Sequence, residues 1–495
     1  MSASVSNAST TNAQATSVDA EALLQRIAGL IDAGRGGVAR PLLAAARRLS
    51  PPSARLSHLA ARLALREGAL DEATAELNEA VTLDPLHAGL RICRADLRER
   101  CGDLDGATRD AAEAVILDRH DPVAKAALGG LMIRLGRFGD AASCLGEAVT
   151  AAPRDAPFRE ALATAQEAGG DPDTALATLV EGIALTPTVV ALRNAAILLC
   201  VRGRRFDQAV QLAEQARQVG IADACTFGLC GHALSAMGRH DEATGAYVEA
   251  LKLGPEDDYV RHLVMASRAT PSALRAPADY VRTVFDGYAD RFESHLVALG
   301  YRIPGLIRSA LREHPAIMGG RSLGPVLDLG CGTGFAALAI SDLPLGPITG
   351  VDLSARMLAH AAAKQIYAEL IEGDLVSLLA AERRNWPLIL AADVFCYFGA
   401  LDTLLGAIHP RMEPGGWLIF SVEALLADHN GTVPGNGAWA LHRQGRYAHA
   451  HGYVREAAAA AGFREIRYEE QTVRNEANAP VPGLFVVLER PRLDA

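Results

Sequence analysis

A 34-residue period through the first half of the chain narrows its folding options more than any other feature. Proline stands on this step at Pro51, Pro85, Pro153, Pro187 and Pro255, with Arg119 and Ile221 filling the two remaining turns. The same step meets Ala39, Ala73, Ala107, Ala141, Ala175, Ala209 and Ala243, and then Ala46, Ala80, Ala114, Ala148, Gly182, Ala216 and Ala250. A glycine series at positions 34, 68, 102, 136, 170 and 238 is broken only by Arg204. Small residues at two fixed positions let paired helices approach closely. A glycine between them supplies the φ freedom of a tight turn, and proline closes the second helix because the residue before it avoids the helical region. Alanine is abundant, so single matches mean little, but a register held over about 240 residues marks a repeat architecture.

The pattern resembles the tetratricopeptide repeat, which places two antiparallel helices in each 34-residue unit. The resemblance implies an all-α superhelix of about seven repeats over residues 18–255, with a groove for a protein or peptide partner. Positions that face the groove in that family carry Arg55, His58, Arg62, Asp96, Glu99, Glu160, Glu167, Asn194 and His232 here. That set lacks the Lys/Asn combination with which chaperone-binding members grip a C-terminal carboxylate. A spacer or assembly arm fits the same helices, since fold alone does not fix function. Residues 1–17 are polar, with neither a basic nor an apolar leader, and read as a disordered tail. Residues 256–278, where the period stops and Pro, Ser and Ala gather, read as a linker.

A chain of 495 residues exceeds one ordinary core. Half of it is apolar and 21% charged, a globular balance. No apolar run reaches the roughly 20 residues of a membrane span. A net charge of −10 argues against nonspecific nucleic-acid binding. The eight cysteines are scattered, with no CxxC pair and no Cys/His cluster, so free thiols in a reducing cytoplasm and no metal site are expected.

From Val326 the texture changes to short apolar runs alternating with helical stretches, the mark of a doubly wound α/β sheet. Strands are expected near 326–330, 348–353, 368–372, 388–394, 416–422, 463–470 and 483–489. The first runs into Asp328-Leu329-Gly330-Cys331-Gly332-Thr333-Gly334, whose glycines permit a sharp turn and close approach to a ligand. Asp328 offers a carboxylate to a cationic ligand end, and no Lys-Ser/Thr follows to grip phosphate. Asp352 ends the second strand, where an acid suits the two hydroxyls of a ribose. Asp374 ends the third, and Asp393 stands at the tip of the fourth.

These motifs, in this order and spacing, resemble the class I S-adenosylmethionine-dependent methyltransferases over roughly residues 280–490. The resemblance implies a Rossmann-like domain over 279–495 with a seven-stranded sheet, binding S-adenosyl-L-methionine. It implies that Asp328, Gly330, Cys331, Gly332, Thr333 and Gly334 line the methionine moiety and that Asp352 takes the ribose. Leu353 and Met357 would pack the adenine, Asp374 and Leu375 hold its edge, and Asp393 border the methyl group. A nicotinamide-binding Rossmann domain is the rival, but it prefers GxGxxG. Phe285 to Phe292 resembles the family's lid helix, Tyr288 included, although Phe285, Tyr288 and Phe292 also fit an amphipathic core stripe.

On the acceptor side the candidates are Glu423, Arg446, Tyr447 and His449, with His449 as general base and Asp393 as the lesser candidate. The fourth strand lacks the Asn/Asp-Pro-Pro-aromatic ending that grips planar amides. The expected function is methylation of a protein or carrier-bound acceptor recruited by the repeats. The alternatives are a quinone- or phenol-type small molecule, with the repeats serving assembly, and a non-catalytic scaffold that senses the cofactor.

Overall fold

The computed structural model describes residues 21–268, 274–426, 437–476 and 479–492. The expected tail, 1–17, lies outside them. By internal packing the chain divides into two compact units, Met1–Ala222 and Asp223–Ala495.

The first unit is built of helix pairs. Residues 21–32 pair with Gly36–Leu49, Ala54–Arg66 with Leu70–Leu83, and Ala88–Arg100 with Leu104–Leu117. Pro122–Arg134 pairs with Phe138–Ala151, Ala156–Ala168 with Pro172–Leu185, and Val190–Arg202 with Phe206–Val219. The alanines of both series are buried, none more than 3% exposed. At the one glycine among them, an added Cβ on Gly182 would come 2.7 Å from Cδ of Arg159. The turn glycines are left-handed, and Arg204, in glycine's place, is held at φ 58°.

A second periodic device joins the two helices of a pair. Arg91 reaches Glu113 (2.5 Å), Lys125 reaches Glu147 (2.7 Å), Arg159 reaches Glu181 (3.3 Å) and Arg193 reaches Gln215 (3.4 Å). Arg91, Arg159 and Arg193 also donate to the carbonyls of Pro85, Pro153 and Pro187, closing the turn that proline opens. Four of the expected groove residues pair with neighbours outside that set: Arg55 with Glu21, Arg62 with Asp32, Glu99 with Arg134 and Glu167 with Arg202.

The second unit opens with a seventh helix pair, Ala224–Ala236 and His240–Leu253. The stretch expected as a linker then proves helical over Asp258–Ser267, which starts thirty-four residues after Ala224. Asp257 caps this helix by accepting from the Val260 N–H, and Val260, His262, Leu263, Val264 and Ala266 are buried. The repeat therefore continues half a unit beyond its alanine and proline markers. Pro255 stands three residues before it, as Pro51 and Pro85 stand before Ala54 and Ala88, and apolar burial anchors the half-unit.

A nine-stranded mixed sheet follows, two strands more than the seven expected. Strands β1 (Val326–Leu329), β2 (Ile348–Asp352), β3 (Glu369–Glu372), β4 (Trp386–Ala391) and β5 (Met412–Ala424) lie parallel in the order β3-β2-β1-β4-β5. The short strands β6 (Trp439–Leu441) and β7 (Tyr447–His449) form a hairpin beside the end of β5. They lie between the strands expected near 416–422 and 463–470, and at three residues each they show no alternation a sequence reading can detect. Strand β9 (Ala479–Glu489) runs antiparallel to β5 and to β8 (Arg464–Glu476). Strand order reverses between β1 and β4, and a parallel sheet of this kind opens its ligand crevice at the carboxyl ends of those strands. Among the described residues no helix is long and apolar enough to cross a membrane.

Candidate cofactor and acceptor site

The glycine turn after β1 is shaped by what crowds it. A Cβ on Gly330 would come 2.3 Å from Val394, and one on Gly334 would come 2.9 Å from Tyr367; both glycines have positive φ. Asp328 is buried beneath this turn. Its Oδ2 accepts from the Tyr367 hydroxyl at 2.7 Å, while its Oδ1 has no partner among the described residues. Burial lifts this carboxyl to about 7, against the opposing Tyr367 hydrogen bond. Asp352 accepts from the backbone N–H of Gly332 and of Ser354, each at 2.9 Å, which ties the turn to the end of β2. Burial raises its carboxyl as well. Thr333 lends its carbonyl to Lys364 Nζ at 2.7 Å, and burial pushes up the Cys331 thiol. Met357 is fully buried below, and Leu353 is half-buried.

The expected single lid helix is instead broken. Helix Ala278–Asp286 ends at Gly287, a 3-10 turn spans Ala289–Arg291, and Phe292–Ala298 forms a further helix. The break leaves Tyr288 half-buried and edge-on to Phe292 at 5.5 Å, while Phe285 packs on Tyr397. Phe292 reaches over the glycine turn, 3.6 Å from where a Cβ of Gly332 would stand. Asp374 serves the backbone: it caps helix Leu375–Ala381 by accepting from the Ser377 N–H at 3.0 Å, and it pairs with Arg275 at 2.8 Å. Leu375 beside it is buried.

Across the β4 tip lies a charged cluster. Asp393, at φ 55°, accepts from the Ser421 hydroxyl at 2.7 Å and from Arg474 Nη1 at 2.9 Å. Arg474 also donates to Glu423 and, through Nε, to Glu476 at 2.8 Å. Arg446 bridges the same two acids, with Nε on Glu423 at 2.6 Å and Nη2 on Glu476 at 2.7 Å. Burial alone would raise the Glu423 carboxyl, but Arg446 and Arg474 override it and hold the group below its usual range. Burial raises Asp393 against the pull of Arg474.

Residues 326–416 match the family model described as a methyltransferase domain. The chain carries a methyltransferase domain. Two curated proteins align with part of it. Malonyl-acyl-carrier-protein O-methyltransferase of Priestia megaterium is 34% identical over 99 residues, 19% of this chain and 35% of that protein. Demethylmenaquinone methyltransferase of Chlorobaculum tepidum is 28% identical over 138 residues, 28% of this chain and 56% of that protein. The chain thus spans from about a third to just over half the length of these curated relatives. Among solved structures, a tetratricopeptide repeat protein from Parabacteroides merdae aligns at 19% identity and TM-score 0.40, covering 50% of this chain and 98% of its own. Magnesium protoporphyrin IX methyltransferase from Synechocystis, solved with bound S-adenosylhomocysteine, aligns at 16% identity and TM-score 0.33. It covers 43% of this chain and 100% of its own. The strand order β3-β2-β1-β4-β5 around the matched residues agrees with the class I fold that the motifs resemble.

Within that domain two expectations on the acceptor side are corrected. His449 is fully buried on β7, with Nε2 donating to the carbonyls of Phe398 (2.8 Å) and Gly399 (3.1 Å). Burial pushes its imidazole down to about 4, so it is a fixed neutral donor in the core, with no exposed face to meet an acceptor. Tyr447 is also fully buried, edge-on to Trp439 at 5.4 Å, and packs within the hairpin. Glu423, Arg446 and Asp393 do come together. Arg474, Glu476 and Tyr367 were not legible: the first two lie far from the glycine motifs and enter through strand pairing, and Tyr367 stands in the connection before β3. Among the described residues no His/Cys/Asp/Glu group is arranged to hold a metal ion.

Proposed function

We propose that the methyltransferase domain binds S-adenosylmethionine and methylates a protein or carrier-bound acceptor that the repeats recruit. The observation that carries this reading is Asp328 Oδ1, buried beside the glycine turn and without a donor among the described residues. A lone buried carboxylate oxygen is costly, and a cationic ammonium such as that of a methionine moiety relieves the cost. Asp352, fixed at the end of β2, is placed to take ribose hydroxyls. Leu353 and Met357 offer an apolar floor for the adenine, and Tyr288 and Phe292 offer a cover. Asp374 spends its carboxylate on its own helix and Arg275, so the adenine edge falls to the backbone around Leu375.

The cofactor supplies a methyl group already activated on a sulfonium. What the chain contributes is orientation and exclusion of water. Ser421 and Arg474 hold Asp393 in one position at the β4 tip, and Arg446 and Arg474 keep Glu423 ionised beside it. A carrier-bound acceptor is favoured by the relative named for malonyl-acyl-carrier-protein methylation and by a repeat array suited to binding another chain. The relative named for demethylmenaquinone supports the second reading, a quinone-type acceptor with the repeats used for assembly. Incubating the purified chain with methyl-labelled cofactor and native-host extract separates the two. Label in a protein or carrier fraction supports the first, label in the lipid-soluble fraction supports the second, and no transfer beyond background leaves a cofactor-sensing scaffold.

A further inference from the structure

The terminal repeat helix Asp258–Ser267 touches the domain at one instructive place. His262 is fully buried, and its Nε2 lies 3.0 Å from the carbonyl of Gly445, 183 residues away in sequence. A carbonyl accepts only, so Nε2 carries the proton and donates. Burial lowers the imidazole, which keeps it neutral, and Nδ1 has no partner among the described residues. The ring packs on Tyr280 at 4.4 Å. Tyr280 closes the other side of the same turn: a Cβ on Gly445 would come 2.1 Å from its hydroxyl.

Gly445 is the left-handed residue of the β6–β7 turn, held by Gly445 N–H to His442 (2.9 Å) and His442 N–H to Arg446 (2.8 Å). The next residue, Arg446, enters the charged cluster through Glu423 and Glu476. The hairpin strands are three residues each, too short to hold a long, buried side chain unaided. The clamp therefore acts where the hairpin is weakest.

We propose that the last repeat helix is a working part of the acceptor site, with His262 acting as a positioning residue that fixes the Gly445 carbonyl and thereby sets Arg446 in the cluster. The naming of the cluster as the acceptor side rests on the proposed methyltransferase function; the manner in which Arg446 is held does not.

The test uses the full chain with His262→Leu, His262→Gln and Gly445→Ala. A glutamine amide can still donate to Gly445, whereas leucine cannot. Amide hydrogen exchange at His442 and Gly445 is expected to quicken at least about tenfold in the Leu variant and to stay within about threefold of wild type in the Gln variant. The Glu423 carboxyl, followed by NMR titration, is expected to titrate higher in the Leu variant as Arg446 loosens. Gly445→Ala, which crowds the clamp from the Tyr280 side, should loosen the hairpin even if the Leu variant folds poorly. Unchanged exchange in both the Leu and Ala variants overturns the proposal. So does equal loosening by Leu and Gln, or an unmoved Glu423 titration. Neither readout involves methyl transfer, so failure of the proposed activity and failure of this inference remain distinct results.

Discussion

The repeat helices and the crevice of the methyltransferase domain treat buried polar groups in opposite ways. In the repeats the marker positions buried between helices are alanine, and charged groups find partners at recurring offsets such as Arg159 with Glu181 and the Pro153 carbonyl. In the crevice, Asp328, Glu423 and Arg474 are buried, Asp393 is half-buried beside them, and Asp328 Oδ1 has no donor among the described residues. The first arrangement is redundant, since any one pair can fail while its neighbours hold. The second is not, because each crevice group does something no neighbour repeats. Stability is thus spread through the helix pairs, and strain is concentrated where the chemistry is proposed.

The largest expected break in this contrast is Arg474→Met. It strips Asp393, Glu423 and Glu476 of their shared guanidinium, and removing one partner from a buried ionic group typically costs about 3–5 kcal/mol. The matching change among the repeats, Arg134→Ala, removes an exposed pair and should stay within about 1 kcal/mol. Chemical denaturation of both variants measures the gap, and similar losses would remove the distinction.

Next in size is Ala141→Phe, which forces a large ring into a fully buried helix contact. Overpacking should destabilise the first unit by roughly 1–3 kcal/mol while leaving cofactor affinity in the second within error. Thermal unfolding read beside cofactor titration tests both halves of that statement.

A pH-dependent effect belongs to Asp328. Its folded carboxyl sits near 7, above the unfolded value of about 3.9, so the free protein loses stability as pH rises through about 7. A cationic ligand selects the ionised form, so cofactor affinity should run the other way and weaken by up to about tenfold per pH unit below 7. Asp328→Asn should flatten both dependences, and a pH-independent wild-type affinity between pH 5.5 and 8 would count against the assignment. The smallest effect is Arg204→Gly, expected to stabilise by up to about 1 kcal/mol because it relieves a left-handed arginine. Unchanged or lower stability would show that turn to be unstrained.

How much was legible follows the same division. The helix pairs could be read because each turn restates the rule, so even the exception at Arg204 stood out before its φ was known. The glycine turn and the acids at the ends of β1 and β2 were legible because a ligand-approaching turn demands those residue types at that spacing. The helix Asp258–Ser267 was hidden because no partner helix with the alanine pair follows it, although Pro255 precedes it as proline precedes the earlier units. Strands β6 and β7 were hidden by their length. His449 and Tyr447 misled because polar residues between two expected strands suggest an exposed site, whereas a hairpin beside β5 turns both side chains into the core. Arg474 gave no local sign, because its role depends on β8 pairing with β9 and β9 with β5.

The central claim is that the crevice at the ends of β1 and β2 is an S-adenosylmethionine site. Titration calorimetry of the full chain with S-adenosylhomocysteine, for wild type and Asp352→Ala, tests it most directly. The account predicts a single site in the wild type, weakened by about 1.5–3 kcal/mol when the Asp352 carboxylate is removed. Equal affinity for the two proteins, or a wild-type preference for NAD over S-adenosylhomocysteine, would contradict it.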